Sequence, residues 1–294
     1  MNPIRARIEY ALVSALAFLF RLAPLGIARS LADLVGWIAG NLIRFRRTAA
    51  LDNLRHAFPE AGEDKLRGIY RSCWRHLVRV GAELTYLPRL RRDRLGPFLE
   101  IQGDMVIQNA LQKGIGAILV AGHFGNWEWM GGCASLIGYQ MTYVATNQSN
   151  PLVDEWLDRT RKSAGVEIIR RRDAARGVLS ALKRNRMVAM LCDQDAGKAG
   201  VFVPFFGRPA STPRGPALFH IKTGVPLIYG SARFVEDGRY RICFEELNFN
   251  GLTGERESDE AAIMAQITAR LEADVRRSPE QWLWLHRRWK TRPT

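Results

Sequence analysis

Short apolar runs rich in β-forming residues alternate with stretches of helical periodicity through the middle of the chain. The runs fall at Gly116–Ala121, Met141–Thr146, Val166–Ile169, Met187–Cys192, Val225–Ser231 and Tyr240–Glu246. Between most of them lie helical patterns, at Trp127–Ile137, Pro151–Ala164, Ala174–Arg184 and Arg214–Thr223. Strands that alternate with helices predict an α/β fold: a mixed, largely parallel sheet flanked by helices. A last helix is predicted over Asp259–Val275, where Ile263, Ile267 and Leu271 recur one turn apart.

The first part of the chain has a different pattern. Tyr10–Phe20 is uninterruptedly apolar, but it is well short of the ~20 residues of a spanning helix. Extending it to Ala28 takes in Arg21 and Pro24. No small-residue cleavage site follows, which argues against a signal peptide. Three readings stay open from composition: a weak spanning helix, a helix inserted into one leaflet, and a buried core helix. Helical apolar spacing continues over Ser30–Phe45, ends in Arg44, Arg46 and Arg47, and returns over Glu63–Glu83. With no repeat, low-complexity tract or linker, the chain divides into an N-terminal helical segment, residues 1–45, and one catalytic domain, residues 46–294.

Charge narrows the partners without choosing among them. Lys and Arg number 43 against 29 Asp and Glu, a net charge of +14, which suits nucleic acid, anionic headgroups or an acidic protein. The four cysteines, Cys73, Cys133, Cys192 and Cys243, form no C-x-x-C pair. They read as small buried hydrophobes in a reducing compartment, with no zinc site implied.

The sharpest chemical feature is Gly122-His123-Phe124-Gly125-Asn126-Trp127-Glu128, a polar loop between a buried strand and a helix. Catalytic groups favour such junctions at the carboxyl ends of strands. A turn at Gly125 lets the chain fold back, so that the Glu128 carboxylate is expected to meet the His123 imidazole. That contact would fix the ring's tautomer and raise its basicity. No G-x-S-x-G elbow, H-E-x-x-H helix or phosphate loop is present. A His–Glu pair without a serine or cysteine nucleophile suits direct general-base transfer. Asp193 and Asp195, flanking Gln194 after a buried run, read as loop-shaping or substrate-positioning groups rather than metal ligands. Val201–Phe206 reads as core or as the apolar wall of a site. Trp282, Trp284 and Trp289 with Arg287, Arg288, Lys290 and Arg292 read either as a solvated face with partly buried tryptophans or as an interfacial belt.

His123 followed by Glu128 resembles the H-x4-D/E signature of the glycerolipid acyltransferase superfamily. The fuller likeness is to the bacterial lipid A biosynthesis acyltransferases, which add the late, secondary acyl chains. It rests on four segments in the family's order: Asn53–Pro59, Gly122–Glu128, Asp193–Thr212 and Pro279–Pro293. The resemblance implies transfer of a fatty acyl group from an acyl carrier protein thioester to a hydroxyl of a lipid A precursor. His123 would be the base and Glu128 its orienting carboxylate. It further implies a functional arginine, Arg161 or its near rival Arg159, that binds acceptor phosphate or stabilises developing negative charge. Asn126 and the first amides of the following helix are candidate donors to the oxyanion, and Asp193 is a candidate substrate-binding residue. No bound cofactor is expected, because the phosphopantetheine belongs to the carrier. The expected setting is the cytoplasmic face of the inner membrane of a Gram-negative bacterium, with the N-terminal helical extension attached to the membrane. An acyltransferase of the same architecture acting on another lysolipid or glycolipid is the alternative. A basic nucleic-acid-binding protein would explain the charge but not the apolar N-terminus, and no nucleic-acid-binding motif is present.

Overall fold

A computed structural model describes residues 2–293 of the chain. Two helices open it, α1 (Pro3–Leu22) and α2 (Leu25–Ile38), separated at Ala23-Pro24 because proline cannot continue α1. A π-helical turn over Ala39–Ile43 ends at Arg44 in the left-handed region, and α3 (Arg47–Ala57) and α4 (Glu63–Leu84) follow. The remaining order is β1 (Leu99–Gln102), α5 (Asp104–Gln112), β2 (Ala117–Ala121), α6 (Trp127–Leu136), β3 (Met141–Ala145), α7 (Pro151–Lys162), β4 (Glu167–Arg170), α8 (Ala174–Lys183) and β5 (Met187–Leu191). A hairpin of β6 (Val201–Phe205) and β7 (Arg208–Thr212) precedes α9 (Gly215–Thr223), β8 (Leu227–Phe234), β9 (Tyr240–Leu247) and α10 (Arg256–Arg277).

Seven strands form one sheet in the order β1-β9-β8-β2-β5-β3-β4, and β8/β9 is its antiparallel pair. Every other neighbouring pair is parallel, as the alternation of strands and helices predicts. The antiparallel step arises because a tight turn around Gly238 joins β8 to β9, too short for a crossover helix. The elements not foreseen are α3, α5, the short strand β1, and the separate β6/β7 hairpin, whose Val203 and Phe205 are buried in the core.

β2 lies at the centre of the sheet and is buried on both faces. Ile118 and Val120 belong to one hydrophobic core, shared with α8, α10 and Trp282 and Trp284. Ala117, Leu119 and Ala121 face the other, which Trp129, Met130 and Cys133 of α6 fill together with Ala28 and Ala32 of α2. This sandwich of helices on both sides is the architecture that parallel sheets require. From β2 the chain crosses over β5 to reach β3, and from β5 it crosses back over β2 to reach β8. The strand order therefore reverses between β2 and β5, and a crevice opens there at their carboxyl ends.

The N-terminal helices are two-sided. Ala28, Ala32 and Gly36 on the inner face of α2 let it lie against α4; a Cβ at Gly36 would collide with the Arg75 backbone. On the outer face, Ile27, Leu31, Leu34 and Ile38 are exposed in one stripe. At 3.6 residues per turn, exposed Ile4, Ile8, Leu12, Phe18, Leu19 and Leu22 of α1 fall within roughly a third of its circumference, edged by Arg5 and Arg7. The buried-core reading therefore fails for these outer faces. Among the described residues no helix is long and apolar enough to cross a membrane.

Candidate active site

His123 sits two residues beyond β2 and Asp193 two beyond β5, so adjacent strands bring them together. Cys192 N–H donates to the Ala121 carbonyl at 2.9 Å and carries the ladder up to the pair. Asp193 is 2% exposed and takes three hydrogen bonds. Its Oδ1 lies 2.7 Å from His123 Nδ1. Its Oδ2 accepts the His123 backbone N–H at 2.8 Å and the Trp282 indole N–H at 2.8 Å. A carboxylate accepts only, so Nδ1 carries the proton and Nε2 is the basic nitrogen left on the cleft wall. Burial alone would raise the Asp193 carboxyl, but the His123 charge and these donors hold it down at about 2. Burial disfavours the His123 imidazolium, yet Asp193, with a smaller contribution from Glu128, outweighs this and raises its pKa above 6.5.

The expected contact between Glu128 and His123 is not made. Asn126 caps α6 by accepting the Trp129 N–H at 2.9 Å, so Glu128 falls in the first helical turn and faces α7. There Arg161 Nη2 and Nε hold its two carboxylate oxygens at 2.5 and 3.0 Å. Both side chains are mostly buried, and both line the cleft. Breaking such a pair by removing one partner costs about 3–5 kcal/mol. Arg159, the rival, pairs with Glu155 on the exposed face of α7.

Two further expectations need correcting. The Asn126 side chain is fully buried and outside the cleft lining, with its oxygen on Trp129 N and its amide nitrogen on Glu83 Oε2 at 2.7 Å, so it is turned to the interior and away from an oxyanion in the cleft. Asp193 lies behind the imidazole rather than on the cleft wall, and its bonding capacity is directed at His123 and Trp282 instead of substrate.

The hold of the C-terminal segment on the site is what sequence reasoning missed. Gly125 N–H donates to the Gln281 carbonyl, Leu283 N–H to the His123 carbonyl, and Trp282 to Asp193. Gly125 adopts a positive φ of 58° with its α-carbon against the Ala232 carbonyl oxygen, a place no Cβ fits. Asp195 ties down the rest of the tail, accepting Thr291 N–H at 2.9 Å and its hydroxyl at 2.8 Å while its own amide donates to His286 Nε2. Trp282, Trp284 and Arg288 are buried, not an interfacial belt; Arg288 donates to Ser211 O and Thr212 Oγ1. Cys73, Cys133 and Cys192 are buried and their thiols pushed up, Cys73 and Cys133 to about 12, so none is poised as a nucleophile.

The cleft in front of His123 has a volume of about 760 Å³, within the range of ligand sites. Leu119, Met130, Val144, Leu191 and Phe219 give it apolar surface, and Arg161, Arg171 and Arg214 give it positive charge. α6 begins in its wall at Trp127 and presents the positive end of its dipole there. The site combines a carboxylate-backed histidine, buried thiols that are not activated, and a cleft with both apolar surface and arginines in its wall.

An apolar chain and an anionic group fit such a cleft together, and the class of protein defined is an acyltransferase. The model of the bacterial lipid A biosynthesis acyltransferases matches residues 3–291, and the chain belongs to that family. It is 27% identical over 280 residues to the lipid A biosynthesis palmitoleoyltransferase of Escherichia coli, covering 92% of this chain and 87% of that one. It is 28% identical over 268 residues to the lipid A biosynthesis lauroyltransferase of the same organism, covering 88% and 84%. It is also 28% identical over 242 residues to the phosphatidylinositol mannoside acyltransferase of Mycolicibacterium smegmatis, covering 81% and 77%.

Proposed function

We propose that the protein transfers a fatty acyl group from an acyl carrier protein thioester to a hydroxyl of a lipid A precursor. The observation that carries the mechanism is the free Nε2 of His123, on the cleft wall, with Nδ1–H held by buried Asp193. Nε2 takes the proton of the acceptor hydroxyl as its oxygen attacks the thioester carbonyl. Asp193 stabilises the imidazolium that forms. When the tetrahedral intermediate collapses, the C–S bond breaks, and the imidazolium returns the proton to the leaving thiolate. In this mechanism Arg161 is kept in place by Glu128 and offers charge to an acceptor phosphate or the oxyanion. The basic surface suits both an acidic carrier and anionic lipid.

Likeness to a phosphatidylinositol mannoside acyltransferase favours a second reading, in which the same chemistry acts on another glycolipid. Mass spectrometry of lipid A from cells with and without the protein separates the two. An increment of one fatty acyl chain on lipid A is expected; unchanged lipid A with an altered glycolipid would select the second reading.

The site is proposed to lie at the cytoplasmic face of the inner membrane, held there by the exposed apolar stripes of α1 and α2. Each such side chain removed from water contributes about 1.5–3 kcal/mol. Each basic group beside an anionic surface adds ~1 kcal/mol. These helices insert shallowly, since none is long and apolar enough to span. Replacing Ile8, Leu12, Leu19 and Leu22 together by serine is expected to move the protein from the pellet to the supernatant when it is sedimented with phospholipid vesicles in high salt. Retention through salt and carbonate would place the anchor elsewhere.

A further inference from the structure

One face of α4 supports the catalytic loop and the C-terminal strap. Cys73, His76 and Glu83 lie on it at helical spacing, and all three are buried. Cys73 Sγ is 3.1 Å from the Trp282 carbonyl, and His76 Nε2 is 3.0 Å from the Gly125 carbonyl. Glu83 makes the densest set of contacts. Its Oε1 accepts Arg29 Nε at 2.7 Å, and its Oε2 accepts both Asn126 Nδ2 at 2.7 Å and the Tyr240 hydroxyl at 2.6 Å. The main chain of Glu83 also accepts the Trp129 indole N–H at 2.8 Å. A wholly buried carboxylate with three side-chain donors has no role in the mechanism above, and its removal from water opposes its charge. Three side-chain donors converge on its two oxygens, and an isosteric amide, with one oxygen and an NH₂ in their place, cannot accept all three as they stand.

We propose that Glu83 is a positioning residue for acyl transfer, fixing through Asn126 the loop that carries His123 and the start of the helix that carries Glu128. Asn126 is the point of leverage. Its oxygen caps α6 and so sets where Glu128 emerges, and its backbone N–H is bonded to Ala232 at 2.9 Å. Glu83 grips the remaining end of that side chain. Arg29, which neutralises Glu83, comes from α2. The helix whose outer face carries an exposed apolar stripe thus also supplies the counter-charge of the positioning network. The inference rests on the acyltransferase reading for its kinetic consequence and on geometry alone for the hold on the loop.

The test is a swap of the hydrogen-bonding pair in the full-length protein. Glu83→Gln places an amide nitrogen against donors, and Asn126→Asp places a carboxylate against Glu83. The double variant Glu83→Gln/Asn126→Asp restores one carboxylate–amide bond with its polarity reversed, still with an oxygen to cap α6. Each single variant is expected to lose ten- to a hundredfold in kcat with KM for the acyl donor within about threefold of the parent. The double variant is expected to recover most of that loss. Hydrogen exchange of the peptide spanning residues 120–130 supplies a readout independent of turnover: faster in each single variant, restored in the double. Single variants within threefold of the parent in kcat, or a double no better than the worse single, would overturn the positioning role. An inactive parent with swap-dependent exchange would instead sink the acyltransferase reading and leave the hold of Glu83 on the loop intact.

Discussion

His123→Ala is expected to lower kcat by about 10²–10⁴-fold, the usual contribution of a positioned general base, while the fold survives. The side chain is one-fifth exposed, so its removal opens space toward the cleft rather than a sealed cavity. Asp193 keeps two of its donors, the residue-123 backbone N–H and the Trp282 indole, and is not left as a naked buried charge. A melting temperature close to that of the parent, together with the lost turnover, separates catalysis from stability. Near-parental turnover of the purified variant would remove His123 from the chemistry.

Asp193→Asn is expected to cost on the order of 10²–10⁴-fold as well, for a different reason. An asparagine can turn its NH₂ toward Nδ1 and favour the tautomer that carries its proton on Nε2, which cannot then accept one. The pH dependence is the more discriminating measurement. Neutral His123 is the active form, so the rate rises with pH through the raised pKa of the histidine, and the acid limb of the parent profile lies above 6.5. Removing the carboxylate moves that limb down. Glu128→Gln, by contrast, is expected to move it less, because Glu128 is bonded to Arg161 and acts on His123 only at a distance. An equal or larger shift for Glu128→Gln would return the orienting role to Glu128. Stability follows the opposite sense for the histidine. The pair's contribution is lost as pH falls through about 2, where Asp193 is protonated, and as pH rises through the raised pKa of His123.

The central strands and helices were legible because their patterns are local: β2, β3, β5 and β8 are apolar runs between helical stretches. The loop from Gly122 to Glu128 was legible for the same reason, as polar residues ending a buried strand. The partner of His123 was not, because it is set by which strand lies beside β2. β5 takes that place only when the sheet is assembled, and its next residues then bring Asp193 alongside. The signal was available, since Asp193 stands directly after a buried run, where α/β folds gather their functional groups. The nearer carboxylate in sequence was the more conspicuous one. The C-terminal segment divides between its two readings: Arg287, Lys290 and Arg292 are exposed and Trp289 is half-buried, whereas Trp282, Trp284 and Arg288 are buried. Composition alone cannot distinguish a basic aromatic surface from a buried segment whose arginine is satisfied by Ser211 and Thr212.

The strap at residues 281–283 fixes the order in which the protein becomes competent during synthesis. α1 and α2 leave the ribosome first, with their apolar stripes available to a lipid surface while most of the chain is still unmade. The loop carrying His123 follows, but the Gly125 amide lacks Gln281 and Asp193 lacks the Trp282 indole until the strap has emerged. A chain abandoned short of the strap therefore carries the exposed apolar stripes of α1 and α2 without an assembled reaction centre.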